Sequence, residues 1–302
     1  MDWQLVVVGI AIGFIIGLTG MGGGALMTPV LVLFFGVEPL AAVSSDLVAS
    51  LVMKPVAGAV HYRRRTVELR LVRLLCYGSV PAAFCSAFTL RHLTDPVSVQ
   101  SVIRTALGVA LLLAVITMLA RGIIDQHRPE PGTLAPRPVP TVLVGVLGGV
   151  VVGLTSVGSG SLIIVSLSLL YPGLAVARLV GTDLVQAIPL VGSAALGHLL
   201  FGDVHFDLTA SILVGALPAV FFGARLSSTA RFGMIRPVLL IVLVASGLAL
   251  LGASNVVLWV VAASTVLSVT SWLVGRGRST ARQRRQAGAA LEDGPHAHLR
   301  ED

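Results

Sequence analysis

Nine apolar segments punctuate this chain, at roughly 5–36, 40–60, 70–90, 99–120, 141–171, 176–201, 208–226, 234–252 and 254–274. A bilayer core of about 30 Å takes about 20 helical residues to cross. Most of the segments have that length, so the pattern predicts membrane-spanning helices. Segments 5–36 and 141–171 are too long. As one straight helix, residues 5–36 would reach about 48 Å. A glycine cluster interrupts each of the two: Gly20, Gly22, Gly23 and Gly24 in the first, Gly158 and Gly160 in the second. The reading is a re-entrant hairpin, two helical arms that leave the membrane on the side they entered.

The two halves repeat. Gly17-Leu18-Thr19 matches Gly153-Leu154-Thr155 at an offset of 136, and Gly9 and Gly13 match Gly145 and Gly149 at the same spacing. Further on the offset is 137: Asp46-Leu47-Val48 matches Asp183-Leu184-Val185, His61 matches His198, and Pro81 matches Pro218. Each repeat then holds a broken hairpin plus three spans. An odd number of crossings per repeat predicts inverted repeats. The division follows: 1–120 as first repeat, 121–140 as a Pro-rich cytoplasmic linker, 141–252 as second repeat, 253–275 as a final span, and 276–302 as a basic tail predicted to be disordered.

Charge supports this topology. With the His61–Arg73 loop in the cytoplasm, inversion also puts the 121–140 linker, the Arg225/Arg231/Arg236 region and the Arg276–Arg285 tail inside, as the positive-inside rule asks. Loops 36–40, 91–98, 202–207 and 252–254 fall outside, with Arg91 and no other Arg or Lys among them. The amino end is predicted outside and the carboxyl end inside. The start, Met1-Asp2-Trp3-Gln4, has no basic region that would suggest a cleaved signal.

Composition narrows the class. The chain of 302 residues is 55% hydrophobic and 12% charged, about half the charge of a soluble domain. The 33 glycines suit close helix packing in lipid. The formal charge of +7 is read as a topology signal, so no nucleic-acid partner is implied. Cys76 and Cys85 fall on opposite helix faces and predict no disulfide. The fold class is therefore all-α and polytopic, with the bilayer as its main partner and self-association left open.

Candidate chemistry lies inside the spans. Helix breaks expose backbone N–H groups, and helix N-termini favour anions. Gly22, Gly23, Gly24, Gly158 and Gly160, with Thr19, Thr155, Ser156 and Ser159, are therefore candidate substrate contacts. Gly9, Gly13, Gly17, Gly145, Gly149 and Gly153 are read as packing glycines. Lys54 is the only lysine and lies deep in a span. It could attract an anion or pair with Asp46, which shares its helix side. Asp46 and Asp183 could carry protons, or serve with Ser44, Ser45 and Thr182 as helix-start residues that satisfy backbone N–H groups. His61 and His198 are candidate coupling or gating residues at helix ends. Arg104 and Arg236 are read as interfacial. No nucleophile–base set, metal-ligand cluster, nucleotide loop or HExxH pattern stands out, so neither an enzyme nor a cofactor is expected.

The pair GLTGMGGGALMTPVL and GLTSVGSGSLIIVSL, each followed by Ser45-Asp46 or Thr182-Asp183 and then by His61…Val67 or His198…Val204, resembles the TauE/SafE sulfite exporter family, also called the toluene-sulfonate uptake permease family. The resemblance spans roughly 5–252. It implies secondary transport of sulfite, sulfonates or related small sulfur-containing anions across the bacterial cytoplasmic membrane, with Gly22–Gly24 and Gly158–Gly160 in the family's glycine motifs. Asp46 and Asp183 depart from the family pattern, where a neutral residue is frequent, and so raise the expectation of proton coupling. Ser159 dilutes the second glycine motif. The rival reading is a cation or metal carrier using Asp46, Asp183, His61 and His198.

Overall fold

The computed structural model describes residues 3–19, 24–91, 96–124, 135–227, 235–254 and 264. The described residues form ten elements, all α-helices: α1 (Trp3–Thr19), α2 (Gly24–Phe34), α3 (Pro39–Arg63), α4 (Leu69–Arg91), α5 (Pro96–Ile124), α6 (Pro138–Thr155), α7 (Leu162–Leu170), α8 (Val176–Phe201), α9 (Phe206–Ser227) and α10 (Ile235–Leu250). Among the described residues there is no strand, as lipid requires of a chain that must satisfy its own backbone. The first compact unit is Met1–Ser254. Asn255–Asp302 forms a second unit, and all of it except Ser264 lies outside the described residues, with the predicted final span and tail.

Among the described residues six helices are long and apolar enough to cross a membrane: α3, α4, α5, α6, α8 and α9. Both overlong segments are broken where the glycines fall, between α1 and α2 and between α6 and α7. The breaks are off centre, however. The leading arms have 17 and 18 residues, while the returning arms have 11 and 9. The helix α10, expected as a full span, has only 16.

Glycines explain the packing. The leading arm α6 lies on α4: a Cβ on Gly149 would sit 2.5 Å from the Ser79 carbonyl, and one on Gly153 would sit 2.7 Å from that of Ala83. Helix α1 lies on α9 in the same way, with Gly9 against Ile212 and Gly13 against Ala216. These approaches need a hydrogen in place of a side chain, the device lipid-embedded helices use for tight contact. Residue numbers rise together in both contacts, so α1 runs parallel to α9 and α6 parallel to α4. Each leading arm thus packs on the fourth helix of the other half.

The matched helices α3 and α8 pair differently. Gly202, just past α8, approaches Ser44; Gly192 approaches Leu51; Gly58 approaches Ile188 and the Leu184 carbonyl. Numbers rise on one helix as they fall on the other, so α3 and α8 are antiparallel. The matched helices α5 and α10 are antiparallel too, with Arg104 on the Leu250 carbonyl and Gly108 beside Gly247. The main apolar core runs through these helices and includes Met27, Leu31, Leu47, Ile103, Leu107, Leu190 and Ile212.

Candidate functional site

The second break forms from its own sequence. Ser156 ends α6 in the left-handed region at φ 58, its N–H bonding the Val152 carbonyl at 2.7 Å. Gly158 and Gly160 follow at φ 117 and φ 102, values that L side chains resist. The Thr155 hydroxyl meets both the Val151 carbonyl and the Val157 N–H. Backbone and hydroxyl groups are therefore presented inside the bundle. The first break meets the second: a Cβ on Gly24 would collide with the Ser156 carbonyl. The two glycine motifs are thus in contact at Gly24. Gly22 and Gly23 lie outside the described residues, as does the Thr19 side chain.

Four polar side chains from three helices converge on this break. Lys54 of α3, 7% exposed, donates from Nζ to the Ser159 Oγ at 2.6 Å. Of the two sequence readings for Lys54, the direct contact is to the hairpin and not to Asp46, though both Asp183 and Asp46 act on it at Coulomb range. The Asp46 Oδ2 accepts from the Thr28 hydroxyl at 2.9 Å, and the Ser156 hydroxyl also bonds this carboxylate. On α8, Asp183 accepts from the Gly160 backbone N–H. Both acids are buried, and in each the Oδ1 has no hydrogen-bond partner among the described residues. A cavity of about 10 Å³ adjoins the break, lined by Gly158, Ser159 and Ser161 together with the apolar Ala25, Ala114, Met118 and Leu243.

The matched hydroxyls do what a helix-start residue does, but for another helix. Thr182 accepts the Glu68 N–H at 3.0 Å, and Ser45 accepts the His205 N–H at 3.3 Å. Both satisfy amides at helix starts, those of α4 and α9. The Ser/Thr-Asp pair thus has two jobs: the hydroxyl ties the halves together, and the acid faces the break.

The histidines are unequal. His198 is fully buried, with Nδ1 on the Ser44 Oγ and Nε2 on the Gly153 carbonyl, each at 2.7 Å. His61 is half-buried, with Nδ1 on the Thr66 Oγ1 at 3.1 Å. Neither touches the Lys54 cluster. Sequence reasoning missed Thr28, Ser50 and the Gln186–Ser79 hydrogen bond of 2.7 Å. The available signal was a polar residue inside an apolar run, one turn from a flagged one. Cys76 and Cys85 are free thiols. Among the described residues no group of three His, Cys, Asp or Glu could hold a metal.

The family profile described as Sulfite exporter TauE/SafE matches residues 5–250. The chain belongs to the TauE/SafE family. Membership makes it a multi-pass membrane protein of a bacterial transporter family. A protein of Bacillus subtilis (strain 168) called "Probable membrane transporter protein YjnA" is 35% identical over 257 residues, 83% of this chain and 100% of that protein. A second from the same organism, "Probable membrane transporter protein YdhB", is 23% identical over 233 residues, 74% of this chain and 89% of that protein. No solved structure matches this TauE/SafE chain.

Proposed function

We propose that this chain is a secondary carrier of small sulfur-containing anions, sulfite or sulfonates, coupled to protons and resident in the bacterial cytoplasmic membrane. The observation that carries this reading is Lys54, a buried cation held on the Ser159 hydroxyl at a helix break. A charge inside the membrane is costly and marks a pathway by default. Polar groups converge there: Lys54 on the Ser159 hydroxyl, the Ser156 hydroxyl on Asp46, and the Gly160 amide on Asp183. The family's description supports the sulfur-anion class.

Asp46 and Asp183 supply the coupling. With both ionised, the cluster with Lys54 carries a formal −1; with both protonated, +1. An anion enters the second state far more favourably than the first. Antiparallel pairing of matched helices supports inverted halves that rock about this centre, with the amino end outside and the carboxyl end inside. His61 and His198 act as gates, since neither reaches the charged cluster. One observation favours the cation reading instead: the unpartnered Oδ1 of each buried acid.

A flux panel in proteoliposomes separates the two. Sulfite, an alkyl sulfonate and thiosulfate are compared with divalent metal ions across an imposed pH gradient. Sulfur-anion flux that follows the gradient is the expected result. Flux of metals alone would end the anion reading.

A further inference from the structure

We propose that the matched histidines are alternating latches: His198 closes the outer side by holding the Gly153 carbonyl, and in the opposite state His61 closes the inner side by holding the Gly17 carbonyl. This rests on the inverted-repeat carrier reading and its orientation.

The second half has a complete latch. Gly153 lies in the last turn of α6, where carbonyls lack partners within the helix. A carbonyl only accepts, so the His198 Nε2 carries the proton and its Nδ1 accepts from the Ser44 hydroxyl. One side chain thereby joins α8, α6 and, across the halves, α3.

The first half has the same parts with one bond unmade. The residue matching Ser44 is Gly181, and the Thr66 hydroxyl fills its missing side chain: a Cβ on Gly181 would sit 2.8 Å from the Thr66 Oγ1. That hydroxyl donates to the His61 carbonyl and accepts from the His61 Nδ1, each at 3.1 Å, so closing this latch on Gly17 moves the ring proton from Nδ1 to Nε2. The residue matching Gly153 is Gly17, at the same point of α1. Among the described residues the His61 Nε2 has no partner. The backbone follows the same division, because α6 packs on α8 while α1 makes at most marginal contact with α3. Exchanging these arrangements between the halves gives the opposite transport state without new parts.

A single cysteine at the centre reads the state. Ser50→Cys, one turn from both Asp46 and Lys54, is placed in a Cys76→Ser/Cys85→Ser background of the full chain. A membrane-impermeant thiol reagent is applied to intact cells or to inverted vesicles. His198→Ala is expected to raise labelling from outside several-fold and lower it from inside. His61→Ala is expected to do the reverse. Ser44→Ala, which loosens the outer latch without removing the histidine, should move labelling in the His198→Ala direction by less.

Shifts of one sign for both histidine variants, or no shift with Ser44→Ala and His61→Ala folded, would overturn the proposal. Sulfite flux is measured in parallel. Opposite labelling shifts without any anion flux would uphold the latches and remove the cargo reading. Flux with labelling insensitive to all three variants would remove the latches alone.

Discussion

Helices α3 and α8 hold matched places in the two halves and carry unequal chemistry. Both carry, in their second turn, a hydroxyl that binds a backbone amide at the start of another helix, followed by a buried acid. Beyond that they diverge. Helix α3 continues to Ser50 and Lys54, whereas α8 continues to Gln186 and has buried Val191 where Lys54 would stand. The hairpins differ in a complementary way: Ser159, which receives Lys54, corresponds to Gly23. Parts that occur twice assemble the bundle. Lys54, which occurs once, stands against two acids that occur twice, so the formal charge of the three runs from −1 to +1 according to two protons.

The largest effect should come from breaking a shared part. Gly149→Leu forces a side chain into the Ser79 carbonyl, and the equivalent Gly13→Leu does the same at Ala216. Each should cost about 3 kcal/mol or more and abolish a monodisperse peak in detergent gel filtration. Gly192→Leu, whose Cβ meets only Leu51 at 3.5 Å, should fold.

Moving the unique cation comes next. Lys54→Val makes the first half like the second and should cut sulfite flux by more than about ten-fold, or about 1.4 kcal/mol. Lys54→Val/Val191→Lys should not restore it, because no hydroxyl matches Ser159 at position 23. Recovery to wild-type flux would mean that the halves are interchangeable after all.

The acids follow. Asp46→Asn or Asp183→Asn should lower flux about five-fold, about 1 kcal/mol of barrier, and flatten its dependence on pH when initial rates are taken across a pH series. The smallest effect is expected for Thr28→Ala, which removes one donor from the Asp46 carboxylate. A loss of about 1 kcal/mol in stability, read by thermal unfolding in detergent, should leave flux within about two-fold of wild type.

Much of this was legible in the sequence, for physical reasons that also mark its limits. Overlong apolar runs cut by glycine had to break, since neither a 32-residue helix nor an uninterrupted glycine cluster suits the bilayer. Rare residues recurring at a fixed offset exposed the duplication. The break positions were readable but the unequal arm lengths were not, because Ser156, not a glycine, takes the first left-handed conformation. Spacing along α3 put Lys54 on the side of Asp46, yet its direct partner Ser159 comes from 105 residues away. His198 read as a coupling or gating candidate at a helix end, while its burial between Ser44 and Gly153 was hidden because no local pattern connects those residues to it.

The central claim is that an anion is held where Lys54 meets the hairpin break. It is tested most directly by exchange of isotopically labelled sulfite in proteoliposomes, comparing wild type with Lys54→Met at equal amounts of folded protein. A fall of more than about ten-fold, with gel-filtration behaviour unchanged, is the predicted result. Exchange at the wild-type rate in Lys54→Met would contradict it.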